Sequence, residues 1–227
     1  MSKRLSYKSS IDCSDIFTEE FQNLLVKLHD KFNKEVSEIR KERIANQEKA
    51  RNGIMPKLLE SSEANGEWEI SELPEDLRTP GIEISGPAGI ASMLINALNP
   101  GPGGVRAEGD LDDDEDAAGH TLEDSVYAAR NRMQATLGTL QFDNETTGKH
   151  YELEPGKIPF FMHRERGLHL DETMVTVDGD PISATVLGTA LTLFFGGREQ
   201  HKKGQGVYFY IPKTESARET KFYNSLF

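Results

Sequence analysis

The sequence predicts an α/β fold built on a parallel sheet or barrel, and three stretches carry that prediction. "GIEISGP" followed by "GIASMLINALN" reads as a strand, a Gly86-Pro87 turn and a helix. "GVYFYIPK" is a continuously apolar strand, the kind that parallel sheets cover on both faces. "ATVLGTALTLFF", residues 184–195, is apolar nearly all round and reads as a buried helix.

The elements follow in chain order. Residues 18–52 have helical spacing, with Phe17, Phe21, Leu24, Leu25, Leu28, Phe32, Val36 and Ile39 forming one apolar stripe. Thr18 can cap this helix, Glu19 and Glu20 suit its positive end, and Gly53 and Pro56 end it. Lys27, Asp30, Lys34, Glu38 and Arg40 fall on the other face. Residues 57–80 are irregular and polar, with Trp68 as the expected apolar anchor and Pro74 and Pro80 as punctuation. A strand is expected at 82–85, then a helix burying Ile90, Met93, Leu94, Ala97 and Leu98.

Residues 100–120, "PGPGGVRAEGDLDDDEDAAGH", break the composition and are expected to form a mobile acidic loop. "TLEDSVYAARNRMQATL" reads as helical after Ser125. "TLQF", "KHYELEPG" and "IPFFMHRER" read as strands, and "TMVTVDGDPIS" as strand alternation with an Asp178-Gly179 turn. "SARETKFYNSLF" begins a last helix, and no internal repeat is visible.

The totals limit the function classes. The formal net charge of −12 over 227 residues argues against nucleic acid or an anionic membrane as the main partner. A single cysteine, Cys13, allows no internal disulfide and suits a reducing compartment. No apolar run is long enough to span a bilayer, and the first 20 residues lack the core of a secretory signal. A cytoplasmic protein is expected.

Several candidate sites fail on spacing. The acidic run Asp110 to Asp116 lacks the glycine and glutamate of an EF-hand and reads as a solvated loop. The histidines make no zinc pattern. "PGPGG" lacks the lysine and serine of a phosphate loop, and no Gly-x-Ser-x-Gly elbow occurs. Cys13 has no base partner. Glu123-Asp124-Ser125 can be carboxylates at a strand end facing a pocket or a plain helix cap, and statistics favour the cap. In "HRERGLHL", Arg164 and Arg166 share one side of an extended strand, and Gly167 lets the chain turn. Two guanidiniums there can grip a carboxylate or stabilise an enolate oxygen. They can equally be ion-paired with Glu165 or the acidic loop, and spacing alone leaves this even.

Five motifs in one order resemble malate synthase. "IEISGP...MLINALN", "LEDS", "HRERGLHL", "VDGDPIS" and "GVYFYIPKTES" are similar to the family's "VEITGP...MVINALN", "DFEDS", "RPRGWHL" or "RVRGLHL", "GEPI" and "GPYFYLPKMES". The likeness runs from about Arg43 to Phe227. It implies a partial TIM (β/α)8 barrel: residues 1–80 as an N-terminal helical clasp, and 81–227 as the first half of the barrel. Strands are then expected at 82–85, about 120–123, 158–164 and 207–211, with an inserted β-rich element within about 139–183.

The implied reaction joins acetyl-CoA to glyoxylate and water, giving malate and CoA, with Mg²⁺ as cofactor. By the resemblance Arg164 stabilises enolate or glyoxylate charge and Arg166 supports it. Glu123 and Asp124 lie near the reacting groups, and Ser125 near acetyl-CoA. The family's Pro-x-Trp is replaced by "VYAARNRM", and its Arg-Lys before "MVINALN" by Ala91-Ser92. The family's metal ligands and catalytic base match no residue of this chain, so an incomplete chain, inactive alone and completed by a missing C-terminal half, is expected. The alternative is a non-catalytic binding or regulatory relative.

Overall fold

The computed structural model describes residues 4–58, 60–78 and 81–227; Pro80 lies outside them. At the centre is a parallel sheet with strand order β2-β3-β6-β9: Glu83–Gly86, Gly109–Asp113, Phe160–Arg164 and Tyr208–Phe209. Helices α3 (Ala91–Leu98) and α4 (Leu122–Leu137) follow the first two of these strands. The third is followed by α5 (Ala184–Leu191), a π-helical turn Thr192–Gly197 and α6 (Arg198–Lys202), and the fourth by α7 (Ala217–Leu226). Four strand–helix units in parallel order make a partial α/β barrel.

The remaining strands form two small antiparallel sheets. β4 (Gln141–Asn144) pairs with β5 (Lys149–Glu152) as a hairpin. β1 (Leu5–Tyr7), β7 (Asp171–Val177) and β8 (Asp180–Ser183) form the other, in the order β1-β7-β8. The β7–β8 turn puts Asp178 and Gly179 at φ 52° and 94°, as a two-residue hairpin turn of Asp-Gly type requires.

Helix α1 (Glu19–Arg51) is capped by the Thr18 hydroxyl, which accepts the Phe21 amide. Its stripe buries Phe21, Leu25, Phe32, Val36 and Ile39 against β1, β7, β8, α5 and α7. Phe32 meets Phe222 edge to face at 5.4 Å. Residues before and after position 80 thus share one core. A second cluster, including Leu94, Ile95, Leu98, Ala128 and Phe161, lies between the sheet and α3–α4. Helix α2 (Ser62–Asn65) and a 3₁₀ turn at Glu75–Leu77 are the only regular pieces described between α1 and β2.

Several expectations need correction. The segment 100–120 is not a loop throughout, because β3 runs through it as a central strand. The strand expected at about 120–123 is instead the start of α4. Aspartates are poor strand formers, but here Asp112 pairs with Arg132 and His163 and Asp113 with Arg164, which offsets the cost of burying them. The acidic run is accordingly buried up to Glu115, with Asp112, Asp113 and Glu115 at most 2% exposed, and only Asp116 at its end is exposed. Trp68 anchors nothing, being 67% exposed. In α3, Ile95 turns inward while Ile90 and Met93 are about half exposed. The apolar stretch 184–195 leaves α-helical geometry after Leu191. Among the described residues no helix is long and apolar enough to cross a membrane.

Candidate active site

The C-terminal ends of the parallel strands bring charged residues together, as barrel architecture does with its chemistry. Register places Asp113 of β3 beside Arg164 of β6. Asp113 accepts from Arg164 Nε at 2.8 Å and from Nη2 at 2.6 Å, a bidentate pair. Arg164 Nη2 also lies 3.1 Å from Asp116, and the guanidinium sits 5.9 Å from the Tyr210 ring centroid. Burial alone would raise the Asp113 carboxyl, but the Arg164 guanidinium and the amides of Asp116 and Glu115 hold it below the usual range. Arg164 is raised in turn, chiefly by its hydrogen bond to Asp113. Its side chain is 21% exposed. Nη1 makes no hydrogen bond among the described residues, so the clamp fixes the fork and leaves one donor edge available.

Lys213 stands beside this pair, four residues past the end of β9, with its backbone at φ 50°. It donates to Glu115 at 2.5 Å and to Asp116 at 2.8 Å, which raises its pKa. Glu115 also accepts the Gly167 amide at 2.7 Å. One carboxylate therefore ties the ends of three neighbouring strands. An added Cβ at Gly167 would lie 2.9 Å from the His169 ring, so the residue after Arg166 has little room for a side chain.

The two arginines share no hydrogen-bond partner. Arg166 lies beyond β6 and is buried, donating to Glu172 at 2.8 Å, to the Ser125 hydroxyl at 3.2 Å and to the His120 carbonyl at 3.2 Å. Its own carbonyl accepts from Thr185 at 2.6 Å. It joins α4, α5 and β7 rather than standing beside Arg164 at the strand ends.

Glu123, Asp124 and Ser125 lie in the first turn of α4, not at a strand end. Thr121 is the cap, and Asp124 closes the capping box by accepting from the Thr121 amide and hydroxyl. Glu123 accepts the Ser10 amide at 2.7 Å and the hydroxyls of Ser9 and Ser10 at 2.9 Å. These contacts, the Ser10 amide first, lower its pKa to about 2. Glu123 thus docks the N-terminal strap. Ser125 is buried and holds Arg166.

The strand-end carboxylates are instead Asp113, Glu115 and Asp116. Sequence reasoning missed them because it took their run for solvated loop. The available signal was "EGDLDD", a short stretch around Leu111 placed between a helix and a capping box. Among the described residues no group of three or more His, Cys, Asp or Glu is placed to hold a metal ion.

Comparison with known proteins bears on this arrangement. Residues 160–227 match the family model described as malate synthase, TIM barrel domain. The malate synthase of Myxococcus xanthus (strain DK1622) is 35% identical over 218 residues, covering 95% of this chain and 39% of the relative. Malate synthase A of Escherichia coli (strain K12) is 31% identical over 214 residues, covering 93% and 39%. That of Dictyostelium discoideum is 30% identical over 216 residues, covering 93% and 38%. The chain thus spans about 39% of the length of these curated relatives.

Proposed function

The chain belongs to the malate synthase family, and from that premise we propose that it supplies the arginine side of a site condensing acetyl-CoA with glyoxylate and water to give malate and CoA. The observation that carries this reading is the geometry of Arg164. Its guanidinium stands at the C-terminal strand ends, oriented by Asp113, with Nη1 available to an oxygen that gains charge. Removing the thioester methyl proton places negative charge on the enolate oxygen, and a fixed donor lowers the energy of that state more than of the neutral thioester. Arg166 acts behind it, holding α4 and β7 against the strand end through Ser125 and Glu172. Glu123 and Asp124 act on the fold, as strap anchor and helix cap.

Mg²⁺, which the family implies, would act as a Lewis acid on the glyoxylate oxygens. The residues described here do not fit a metal centre of their own, because Asp113, Glu115 and Asp116 are already engaged by Arg164, Lys213 and the Gly167 amide. The metal ligands and the base that takes the methyl proton are therefore assigned to groups outside this chain. That closed pairing also favours a second reading, a non-catalytic relative that keeps this half of the site.

The test is glyoxylate-dependent thiol release from acetyl-CoA with Mg²⁺, on the 227-residue chain and on a chimera. In the chimera the chain replaces the matching 39% of the E. coli relative. We expect no release from the chain alone and release from the chimera. Release from the chain alone contradicts the assignment of ligands and base. A folded chimera that binds both substrates without turnover supports the non-catalytic reading.

A further inference from the structure

Successive residues of β3 and β6 face opposite ways, so Asp112 and His163 point to the side of the sheet away from Asp113 and Arg164, and Asp114 and Glu165, just past the strand ends, join them there. There they meet one buried cation, Arg132 of α4, which is 3% exposed. Arg132 donates two hydrogen bonds to Asp112, one to Asp114 at 2.7 Å and one to Thr192 at 3.0 Å. Glu165 accepts from Thr192 at 2.5 Å and lies 3.7 Å from Arg132. His163 Nδ1 is 3.0 Å from Asp112, and its Nε2 faces the Gln200 amide at 3.4 Å. Asp110, one turn of the pleat earlier, is 1% exposed.

Three carboxyls, Asp112, Asp114 and Glu165, thus surround one guanidinium in a buried layer, with Asp110 buried beside Asp112. Three of these four keep a buried oxygen with no hydrogen-bond partner: Oδ2 of Asp110, Oδ1 of Asp114 and Oε2 of Glu165. Leaving such acceptors ionised and unpaired is costly, and protonation is the cheapest remedy. The Glu165 carboxyl is packed against the backbone of a helix. A Cβ on Gly188 of α5 would lie 2.2 Å from Glu165 Oε2, so the helix passes directly against that oxygen. The π-helical turn places Thr192 between Glu165 and Arg132, a local departure of the kind found where a helix serves a specific contact.

We propose that this cluster is a proton-operated latch on the strand ends: it holds Asp113 and Arg164 in register while Asp110, Asp114 and Glu165 carry protons, and it loosens them as those carboxyls ionise. The titratable and charged groups facing it are Asp110 and Asp112 from β3, Asp114 after it, His163 and Glu165 with the nearby Arg166 from the β6 end, and Arg132 from α4. Thr192 and Gln200 are the polar groups facing it from the π-turn and α6, and α5 has no charged residue. Burial raises Asp110 to about 8, with the Asp112 charge adding to it. Burial likewise raises Asp114 to about 7, against Arg132. Glu165 is raised by burial too. Asp112 goes the other way, because Arg132 and His163 outweigh its burial.

The sign follows from these directions. A carboxyl raised in the folded state binds a proton that the unfolded chain has already lost above about pH 4. Its contribution is therefore full at acid pH and declines until the pH passes its folded value. For Asp114 and Asp110 that window closes near 7 and 8. His29, lowered by burial, gives an opposite slope below its usual value and is common to wild type and variants.

The test uses the 227-residue chain and needs neither acetyl-CoA nor glyoxylate, so it stands apart from the condensation reading. Urea unfolding from pH 5 to 7.5 compares wild type with Asp114→Asn. Hydrogen exchange, corrected for its intrinsic pH dependence, compares peptides covering 109–116 and 160–166 with α1 peptides. We expect the wild-type unfolding constant to rise about tenfold more per pH unit than that of Asp114→Asn, one proton's worth. We also expect the exchange ratio of strand ends to α1 to rise at least tenfold across the range in wild type, and less in Glu165→Gln. Equal slopes in wild type and Asp114→Asn overturn the latch. Should that variant not fold, a wild-type exchange ratio constant from pH 5 to 7.5 overturns it alone.

Discussion

Arg132→Met removes the cation that hydrogen-bonds Asp112 and Asp114 while keeping most of the side-chain volume. In the wild-type protein this guanidinium satisfies Asp112 twice and Asp114 once, at 3% exposure. Its loss leaves Asp112, fully buried, with only His163 as partner. Breaking a buried ion pair by deleting one partner costs about 3–5 kcal/mol. For a chain of this size that lowers Tm by about 6–20 °C. The penalty is also pH-dependent. Arg132 holds the Asp112 carboxyl below its usual range, so its stabilising effect is full above about pH 4 and fades below it, as Asp112 takes a proton. Urea unfolding at pH 7 and at about pH 2.5, below the usual aspartate value, measures both effects. A loss under about 1 kcal/mol at pH 7, or an equal loss at both pH values, refutes the reasoning.

Phe32→Ala removes a fully buried ring between α1 and α7 and should cost about 3–5 kcal/mol in urea unfolding. Gly188→Ala pushes a methyl into the Glu165 carboxyl, which holds Thr192, and should cost about 1–3 kcal/mol by the same measurement. Glu123→Ala should release the N-terminal strap, seen as faster exchange of the Ser10 amide, at a global cost below about 1 kcal/mol because the contact is largely solvated. Because Glu123 is lowered to about 2, the wild-type strap contact is full above the usual glutamate value and is lost as pH falls through about 2, so Ser10 protection should fall over that window.

Most of the helical frame was legible because its signals are local. The stripe from Phe17 to Ile39, the Thr18 cap and the Gly53 stop define α1 to within a residue. The Asp178-Gly179 pair likewise states its turn. The illegible part was β3. A strand of sequence "GDLDD" contradicts local propensity, and only Arg132, His163 and Arg164, distant in sequence, make it stable. That error moved the expected second strand by some ten residues and sent the search for strand-end carboxylates to Glu123 and Asp124. The arginines were half legible. Period-two reasoning placed Arg164 and Arg166 on one side, but β6 ends at Arg164, so Arg166 obeys no strand alternation. Trp68 shows the reverse limit: a large apolar side chain names no partner by itself.

The central claim is that Arg164, oriented by Asp113, stabilises charge on the reacting oxygen. The most direct measurement is kcat of malate formation by the chimera with Arg164→Ala, beside Asp113→Asn. The account predicts a fall in kcat of about 10²–10³-fold for Arg164→Ala, the scale of one lost oxyanion donor, with a smaller fall for Asp113→Asn. Turnover by Arg164→Ala within a few-fold of the parent would contradict it.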